Sequence, residues 1–319
     1  MAKSATGRGR VKDIWQGPKK PLWKRMLTQW QLYAILLPGL LFYFIFHYIP
    51  LGGLTIAFKD YGLWTGIWDS PWVGLKHFER FFSSPDFWLL FRNTLMLGLG
   101  NLFFSFPFPI LLALLLNELR SVKFKRFTQT VSYLPTFLSV VVVSSMVIDM
   151  LSPENGMLNN LLQFFGFPAK YYITDPGSFR AIYIISGIWQ STGAGAIIYI
   201  AALSSIDTQL YEAARIDGCG RLRCIWNVTL PSLMPTIAVM FIIRSGDILR
   251  VGYEKVLLLY NPATYQVADI FSTFVYRKGI EGQNYSYATA VGLFESVAAF
   301  IIVILTNTIS RKVNNSSLW

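Results

Sequence analysis

Long stretches without a single Lys, Arg, Asp or Glu dominate the chain. Trp30 to Ile49 is the first, followed by Asn93 to Asn117, Phe127 to Ile148 and Ala181 to Ile206. A fifth begins at Leu233, stays apolar to Ile243, and then carries Arg244, Asp247 and Arg250. The sixth, Ala288 to Ser310, is interrupted only by Glu295. About 20 consecutive apolar residues cross the hydrocarbon core of a bilayer as a helix. Barrel strands would instead alternate over roughly ten residues. Pro38, Pro107, Pro109 and Pro135 fall inside the runs, where neighbouring helices can satisfy the carbonyls they free. The pattern predicts an all-α integral membrane protein with six transmembrane helices.

Composition agrees and adds an orientation. The 319 residues are 53% hydrophobic and only 14% charged, with a mean hydropathy of +0.44. An average soluble chain carries roughly 25% charged residues. The net charge of +11 is unevenly spread. Segments 1–29, 118–126, 207–232 and 311–319 hold seventeen basic residues against five acidic ones. The alternate segments, 50–92, 149–180 and 250–286, hold ten of each. The positive-inside rule then places both termini in the cytoplasm, and the excess charge needs no nucleic acid to explain it. Residues 1–29 read as a basic cytoplasmic tail drawn to anionic lipid headgroups, with Trp15, Trp23 and Trp30 fitting an interfacial belt. The first apolar run is longer than a signal-peptide core and lacks a small-residue cleavage site, so it is expected to be a retained start-transfer helix. Residues 30–310 form the membrane domain, with a cytoplasmic loop at about 207–232, and 311–319 a cytoplasmic C-terminus.

Catalytic signatures are missing. No G-x-x-x-x-G-K-[ST], H-E-x-x-H, CxxC or G-x-S-x-G occurs, so no nucleotide, metal or nucleophile site is expected on the chain. His47 and His77 are too few for a metal centre. Cys219 and Cys224 read as free thiols in a reducing compartment.

The loop between the fourth and fifth runs carries the information. Glu212 to Ile216 are good helix formers, and Gly218 with Gly220 supply a stop and a sharp turn with φ > 0. Arg221 to Val228 begins a second short helix that Pro231 is expected to end. Such a helix–turn–helix could be an amphipathic connector or a plug for another protein's groove. The spacing favours the second: Glu212-Ala213-Ala214, three residues, Gly218, nine residues, Val228, one residue, Leu230-Pro231 resembles the EAA loop of binding-protein-dependent ABC importers, EAA-x3-G-x9-I-x-LP, departing only at Val228. The resemblance implies that Glu212, Ala213, Ala214, Asp217, Gly218, Leu230 and Pro231 couple the chain to an ATPase subunit.

Similarity runs on through Trp72-Val73-Gly74-Leu75-Lys76-His77-Phe78, Asn93-Thr94 and Asn307-Thr308-Ile309-Ser310-Arg311-Lys312, which look like stretches of carbohydrate-importer permeases. Val251-Gly252-Tyr253-Glu254-Lys255-Val256 and Tyr260-Asn261-Pro262 are similar to the LplB-like polysaccharide and oligosaccharide permeases, whose relatives include alginate-oligosaccharide importers. Membership implies a type I ABC importer permease fold in the bacterial cytoplasmic membrane and a second, homologous permease as partner. It also implies two ATPase subunits that bind ATP and Mg, and an external solute-binding protein that delivers a carbohydrate. No covalent chemistry then falls to this chain.

Candidates for the substrate path are Trp189 and Gln190, mid-way along the fourth run, and Arg244 and Asp247 in the fifth, because charged groups at membrane depth normally face a cavity or bundle interior. Ser191, Gly193, Ala194 and Gly195 follow Gln190 and would permit close helix packing. Arg244 and Asp247 could equally be a buried pair that fixes packing, and Trp189 a plain packing residue. An ion-coupled secondary transporter, using Asp149, Arg244, Asp247 and Glu295, is the alternative class. It would leave the loop pattern unexplained and should show internal repeats, which are absent. An intramembrane enzyme would need a constellation of acids or metal ligands that the scattered acids do not make.

Overall fold

The structure is a computed structural model that describes residues 28–154 and 156–314. The basic tail with Trp15 and Trp23, and the last five residues, lie outside the described residues. The chain divides into two compact units, one ending at Thr55 and the other starting at Ile56.

The first unit is helical. α1, Trp30–Tyr43, contains Pro38, passes through a π turn at Phe44–Tyr48 and a short turn Ile49–Leu51, and opens into a 3-10 stretch, Gly52–Phe58. The sequence is apolar on every face, as a membrane span requires.

The second unit is nearly all helix; its extended pairing is a bridge between Lys59 and Trp72. After the short α2, Lys76–Phe82, comes α3, Pro85–Glu118, with a π turn at Asn101–Ser105. Ser84 starts α3 by accepting the Asp86 amide at 3.2 Å, with Pro85 in the first turn, the side-chain cap and proline that helix N-termini favour. Then follow α4, Val122–Tyr133, α5, Val140–Met150, α6, Met157–Phe164, and the long α7, Pro176–Ser204. α8, Thr208–Ile216, and α9, Arg221–Gly246, hold the loop pattern. α10, Tyr253–Leu259, α11, Phe271–Tyr276, and α12, Tyr285–Asn314, complete the chain. Five helices among the described residues are long and apolar enough to cross a membrane, or six if α4 and α5 are one span.

That proviso concerns the third run, Phe127 to Ile148, which is not one continuous helix. α4 tightens into a 3-10 turn at Leu134–Phe137 containing Pro135, Leu138 is extended, and α5 restarts at 98° to α4. Ser139 caps the new helix by accepting the Val142 amide at 3.3 Å. Hydropathy is continuous across the corner, so composition hid the break. Pro231 is a correction. It does not end a helix; α9 runs through it, with a π turn at Ile225–Thr229 immediately before. Widening that turn removes the regular i−4 carbonyl with which a proline ring collides.

α7 is the central element, packed most extensively on the second half of α3 and also on α4, α9 and α10. Small residues allow it: a Cβ on Gly193 would lie 1.9 Å from the Ser132 carbonyl oxygen of α4. Ala113 of α3, Ala196, Tyr199 and Leu203 of α7 and Leu233 of α9 form one buried cluster. An aromatic cluster of Phe81, Phe271, Phe274 and Tyr287 with Phe294 ties α2, α11 and α12 together, its rings meeting mostly edge to face, the favoured arrangement of aromatic quadrupoles.

Candidate functional site

The α8–α9 loop is built by its own backbone. Asp207 caps α8, accepting the Gln209 amide at 2.9 Å. At the other end Gly218 has φ of +77°. Its amide donates to the Arg215 carbonyl at 3.0 Å, and the Cys219 amide to the Ala214 carbonyl at 2.9 Å. That pair of bonds around a left-handed residue is the Schellman motif, which satisfies the last carbonyls of a helix. The turn folds α8 back onto α9, where the Tyr211 hydroxyl meets Thr229 Oγ1 at 3.1 Å. Cys219 and Cys224 are free thiols, with Cys224 Sγ donating to the Cys219 carbonyl.

What the hairpin leaves outside is distinctive. Glu212, Ala213, Asp217, Gly218 and Pro231 are exposed. So are Ile216 at 87%, Leu222 at 75% and Trp226 at 67%. Glu212 lines a polar groove with Glu118, Arg120, Tyr211, Arg215 and Arg221, and makes no ion pair among the described residues. Three large apolar side chains thus stand exposed beside an acid, Glu212, that makes no ion pair among the described residues.

Deeper along α7 is a cavity of about 80 Å³ between α3, α7 and α9. Its polar wall is Asn101 and Ser105 from α3, Ser191 and Tyr199 from α7, and Arg244 and Asp247 at the end of α9. The π turn of α3 spans Asn101–Ser105, a widening often found at functional sites. Ser105 Oγ is buried without a hydrogen-bond partner. Arg244 and Asp247 are exposed in the chain and form no ion pair with each other, which corrects their reading as a buried, mutually neutralising pair. Asn101, Ser105 and Tyr199 were not singled out from the sequence. Their signal was there: Asn101 and Ser105 are four apart in an apolar run, as are Ser191, Gly195 and Tyr199, and each set shares a helix face.

The structure separates the other two candidates from this cavity. Gln190 Nε2 donates to the Leu138 carbonyl at 3.2 Å, and the Gln190 carbonyl accepts from Thr136 Oγ1 at 2.8 Å. Gln190 thus braces the α4–α5 corner, supplying the donor the broken helix withholds. Trp189 lines a different, apolar groove with Met146, Met150, Leu158 and Ile185. Glu295 of α12 is buried and accepts from Ser272 Oγ at 2.8 Å. His77 is also buried, its Nε2 3.2 Å from the Lys59 carbonyl.

A family-wide sequence profile, described as "Binding-protein-dependent transport system inner membrane component", matches residues 105–315. That stretch contains the α8–α9 loop and both walls of the cavity beyond Asn101. The chain belongs to this family. Among curated relatives, the "Polygalacturonan/rhamnogalacturonan transport system permease protein YteP" of Bacillus subtilis (strain 168) is 44% identical over 301 residues, 94% of each chain. "Protein LplB" of the same organism is 44% identical over 288 residues, 90% of this chain and 91% of that one. Among solved structures, one chain of a bacterial ABC transporter "involved in the import of the acidic polysaccharide alginate" superposes with a TM-score of 0.85 at 44% identity, covering 92% of this chain and all of that one. A chain of a bacterial alginate ABC transporter in complex with an alginate pentasaccharide-bound periplasmic protein gives 0.86 at 43% identity, covering 94% of this chain. These permeases are what the chain resembles along nearly its whole length.

Proposed function

We propose that this chain is one permease subunit of an ATP-driven importer that carries a carbohydrate, an oligosaccharide or a fragment of a polysaccharide, across the bacterial cytoplasmic membrane. The carrying observation is the α8–α9 hairpin: a Schellman turn at Gly218 that presents Glu212 and the apolar Ile216, Leu222 and Trp226 on one projecting loop, in a chain of the binding-protein-dependent family. Relatives named for polygalacturonan, rhamnogalacturonan and alginate support the carbohydrate.

In this reading α4 and α5 together make one of six spans, and the basic segments hold both termini and the hairpin in the cytoplasm. One six-helix chain encloses half a pathway, so a second, homologous permease completes it. Two ATPase subunits receive the hairpins from below, and a solute-binding protein docks outside. ATP and Mg reside on the ATPases; this chain binds neither and catalyses nothing. Closure of the ATPases moves the hairpin as a rigid body, because its turn is fixed by backbone bonds and its two helices are joined by Tyr211–Thr229. The α9 helix continues the hairpin up to Arg244, through the π turn at Ile225–Thr229 and Pro235, so hairpin motion is carried along one helix to the polar cavity. That cavity is the substrate path, with Arg244 and Asp247 as its charged wall.

Two measurements test this. Gly218→Cys should react with an impermeant thiol reagent only after cells are permeabilised; labelling in intact cells overturns the topology. In the reconstituted complex, Gly218→Val should abolish stimulation of ATP hydrolysis by the loaded binding protein, since a β-branched residue resists φ > 0. Glu212→Ala should weaken it. Assembled complexes in which both variants remain fully stimulated would remove the coupling role.

A further inference from the structure

Between the first span and α2 the chain makes a tightly built loop whose tip, Tyr61 to Trp68, contains no Lys, Arg, Asp or Glu. At the base the Lys59–Trp72 bridge closes it, the Asp60 amide donates to the Pro71 carbonyl at 2.9 Å, and the Trp72 ring stacks on Phe58 with centroids 5.8 Å apart. Inside, Lys59 Nζ donates to the Ile67 and Trp68 carbonyls at 2.7 and 3.1 Å. Buried Ser70 accepts the Gly62 amide at 3.3 Å and meets Thr65 Oγ1 at 3.0 Å. Gly66, with φ of +71°, reverses the chain at the tip. None of this bracing uses the two indoles of the tip. Trp64 is 100% exposed and Trp68 89%, with Leu63 exposed beside them.

Position says what covers them. The Tyr61 amide donates to Ser286 Oγ at 2.9 Å, and its ring meets Tyr285 edge-on with centroids 5.9 Å apart. Tyr285 is the first residue of the last candidate span, and Phe58 is the last residue of the first. The loop therefore sits where two spans leave the bilayer. Trp64 is three residues from Tyr61, a reach of at most about 10 Å. The headgroup layer on each side of the hydrocarbon core is roughly 5–8 Å deep. Lys59 holds Trp68 to the same level. The charges at the base are already used, Lys59 on two carbonyls and Asp60 on Lys76 at 3.6 Å. A docking surface for a soluble protein is ringed by polar groups, whereas this tip is two indoles, a leucine and an isoleucine around one threonine. Trp72 and, near the start of α3, Trp88 are also exposed and extend the aromatic band to the second span.

We propose that the Leu63–Trp68 tip is a lipid-binding anchor, with Trp64 and Trp68 seated in the headgroup layer of the bilayer. An indole has an apolar body and one N–H donor, which suits it to the boundary between acyl chains and the lipid carbonyl and phosphate oxygens. The bracing then has a purpose. Through Tyr61 the loop is tied to Tyr285 and Ser286, so seating the two indoles sets the depth at which α12 enters the membrane. The anchor is independent of what the chain transports.

The test uses the complex containing this chain, purified from its host membrane and reconstituted into vesicles of phosphatidylglycerol and phosphatidylethanolamine. Separate preparations carry bromine near the top of the acyl chains or near their ends. Subtracting the tryptophan fluorescence of Trp64→Phe/Trp68→Phe from that of the wild type isolates the two indoles. Each single variant is read in the same way, so the result does not depend on the double variant folding. The expected result is quenching at least about twofold stronger by the shallow bromines than by the deep ones, with little quenching by iodide in the water. Strong iodide quenching without a response to brominated lipid places the tip in water and overturns the anchor. Iodide access that is lost only when the binding protein is added makes the tip a protein-docking surface, which also overturns it. Indoles that no quencher reaches lie beneath another subunit, and stronger quenching by the deep bromines puts them in the hydrocarbon. Either result removes the headgroup placement.

Discussion

Replacing Lys255 with methionine should stabilise this protein. Lys255 belongs to α10, which packs on α5 and α7 in the segment between the last two spans. Its residue is 8% exposed and its Nζ has no hydrogen-bond partner. The nearest compensation is the face of Tyr183, 5.2 Å away. On the other side lies Gly187, where a Cβ would stand 3.5 Å from Nζ. Burial lowers the ammonium's pKa from 10.5 to about 8. That difference of about 2.5 units, at about 1.4 kcal/mol per unit, makes the charged form cost about 3 kcal/mol in the folded state. Methionine keeps an unbranched stem of similar length and fills the same space without the charge.

The sign of the pH dependence follows from the lowered value. Below pH 8 both folded and unfolded chains hold the proton, and the full cost is present. Between about pH 8 and 10.5 the unfolded chain holds a proton the folded chain has released, so the wild type gains stability as pH rises. Lys255→Met has no such proton. The stability difference between the two should be about 3 kcal/mol at pH 7 and shrink toward zero by pH 10.5. Denaturation of both proteins in mixed micelles, followed by tryptophan fluorescence from pH 7 to 10.5, reads it, and every other titrating group cancels in the difference. Parallel pH profiles for the two proteins would refute the reasoning. A less stable Lys255→Met at pH 7 would do so as well, by showing that the ammonium is matched by an anion.

Four further outcomes follow from the packing. Gly193→Ala drives a Cβ into the Ser132 carbonyl at 1.9 Å and should cost about 1–3 kcal/mol or prevent assembly. Gly292→Ala, where a Cβ on α12 meets nothing within 4 Å, should be neutral or stabilise by up to about 1 kcal/mol; thermal denaturation of the purified protein compares them. Asp269→Ala strips Arg277 of its carboxylate in a setting where the acid is 7% exposed and the base 26%, and should lower stability by about 3 kcal/mol, measured by the same denaturation. Gln190→Leu leaves the Leu138 carbonyl without its donor and should cost about 1–3 kcal/mol while leaving the substrate preference of assembled transporters unchanged in an uptake panel.

The spans and the hairpin were legible in the sequence for different reasons. Charge-free runs report the bilayer's intolerance of unpaired charge, and that constraint acts on every residue of a span, so it survives single exceptions such as Glu295. Its ends are less legible, because α3 starts at Pro85 and α9 at Arg221, where helices continue into water and hydropathy no longer reports on them. The Gly218 turn was legible because few residues other than glycine accept φ of +77° cheaply. Pro231 was misleading for a related reason. A proline forbids a regular helix around it, and nothing local tells that a π turn five residues long will absorb the clash.

The polar residues at membrane depth show where sequence reasoning stops. Inside a bilayer a polar side chain has two uses: it faces a cavity, or it repairs backbone that another helix has left open. From the sequence Gln190 and Arg244 look alike, each a polar group in an apolar run. The structure divides them through a third element, the break at Leu138, which creates an orphan carbonyl opposite Gln190 and none opposite Arg244. The broken helix was itself hidden, because Pro135 is tolerated in straight spans as well as bent ones. Roles of this kind are fixed by what lies across the helix interface, so they become readable only once the interface is known. Arg244 passes that test. Among the described residues it forms no ion pair with Asp247 or with any other carboxylate, and its charge is left to the cavity it lines.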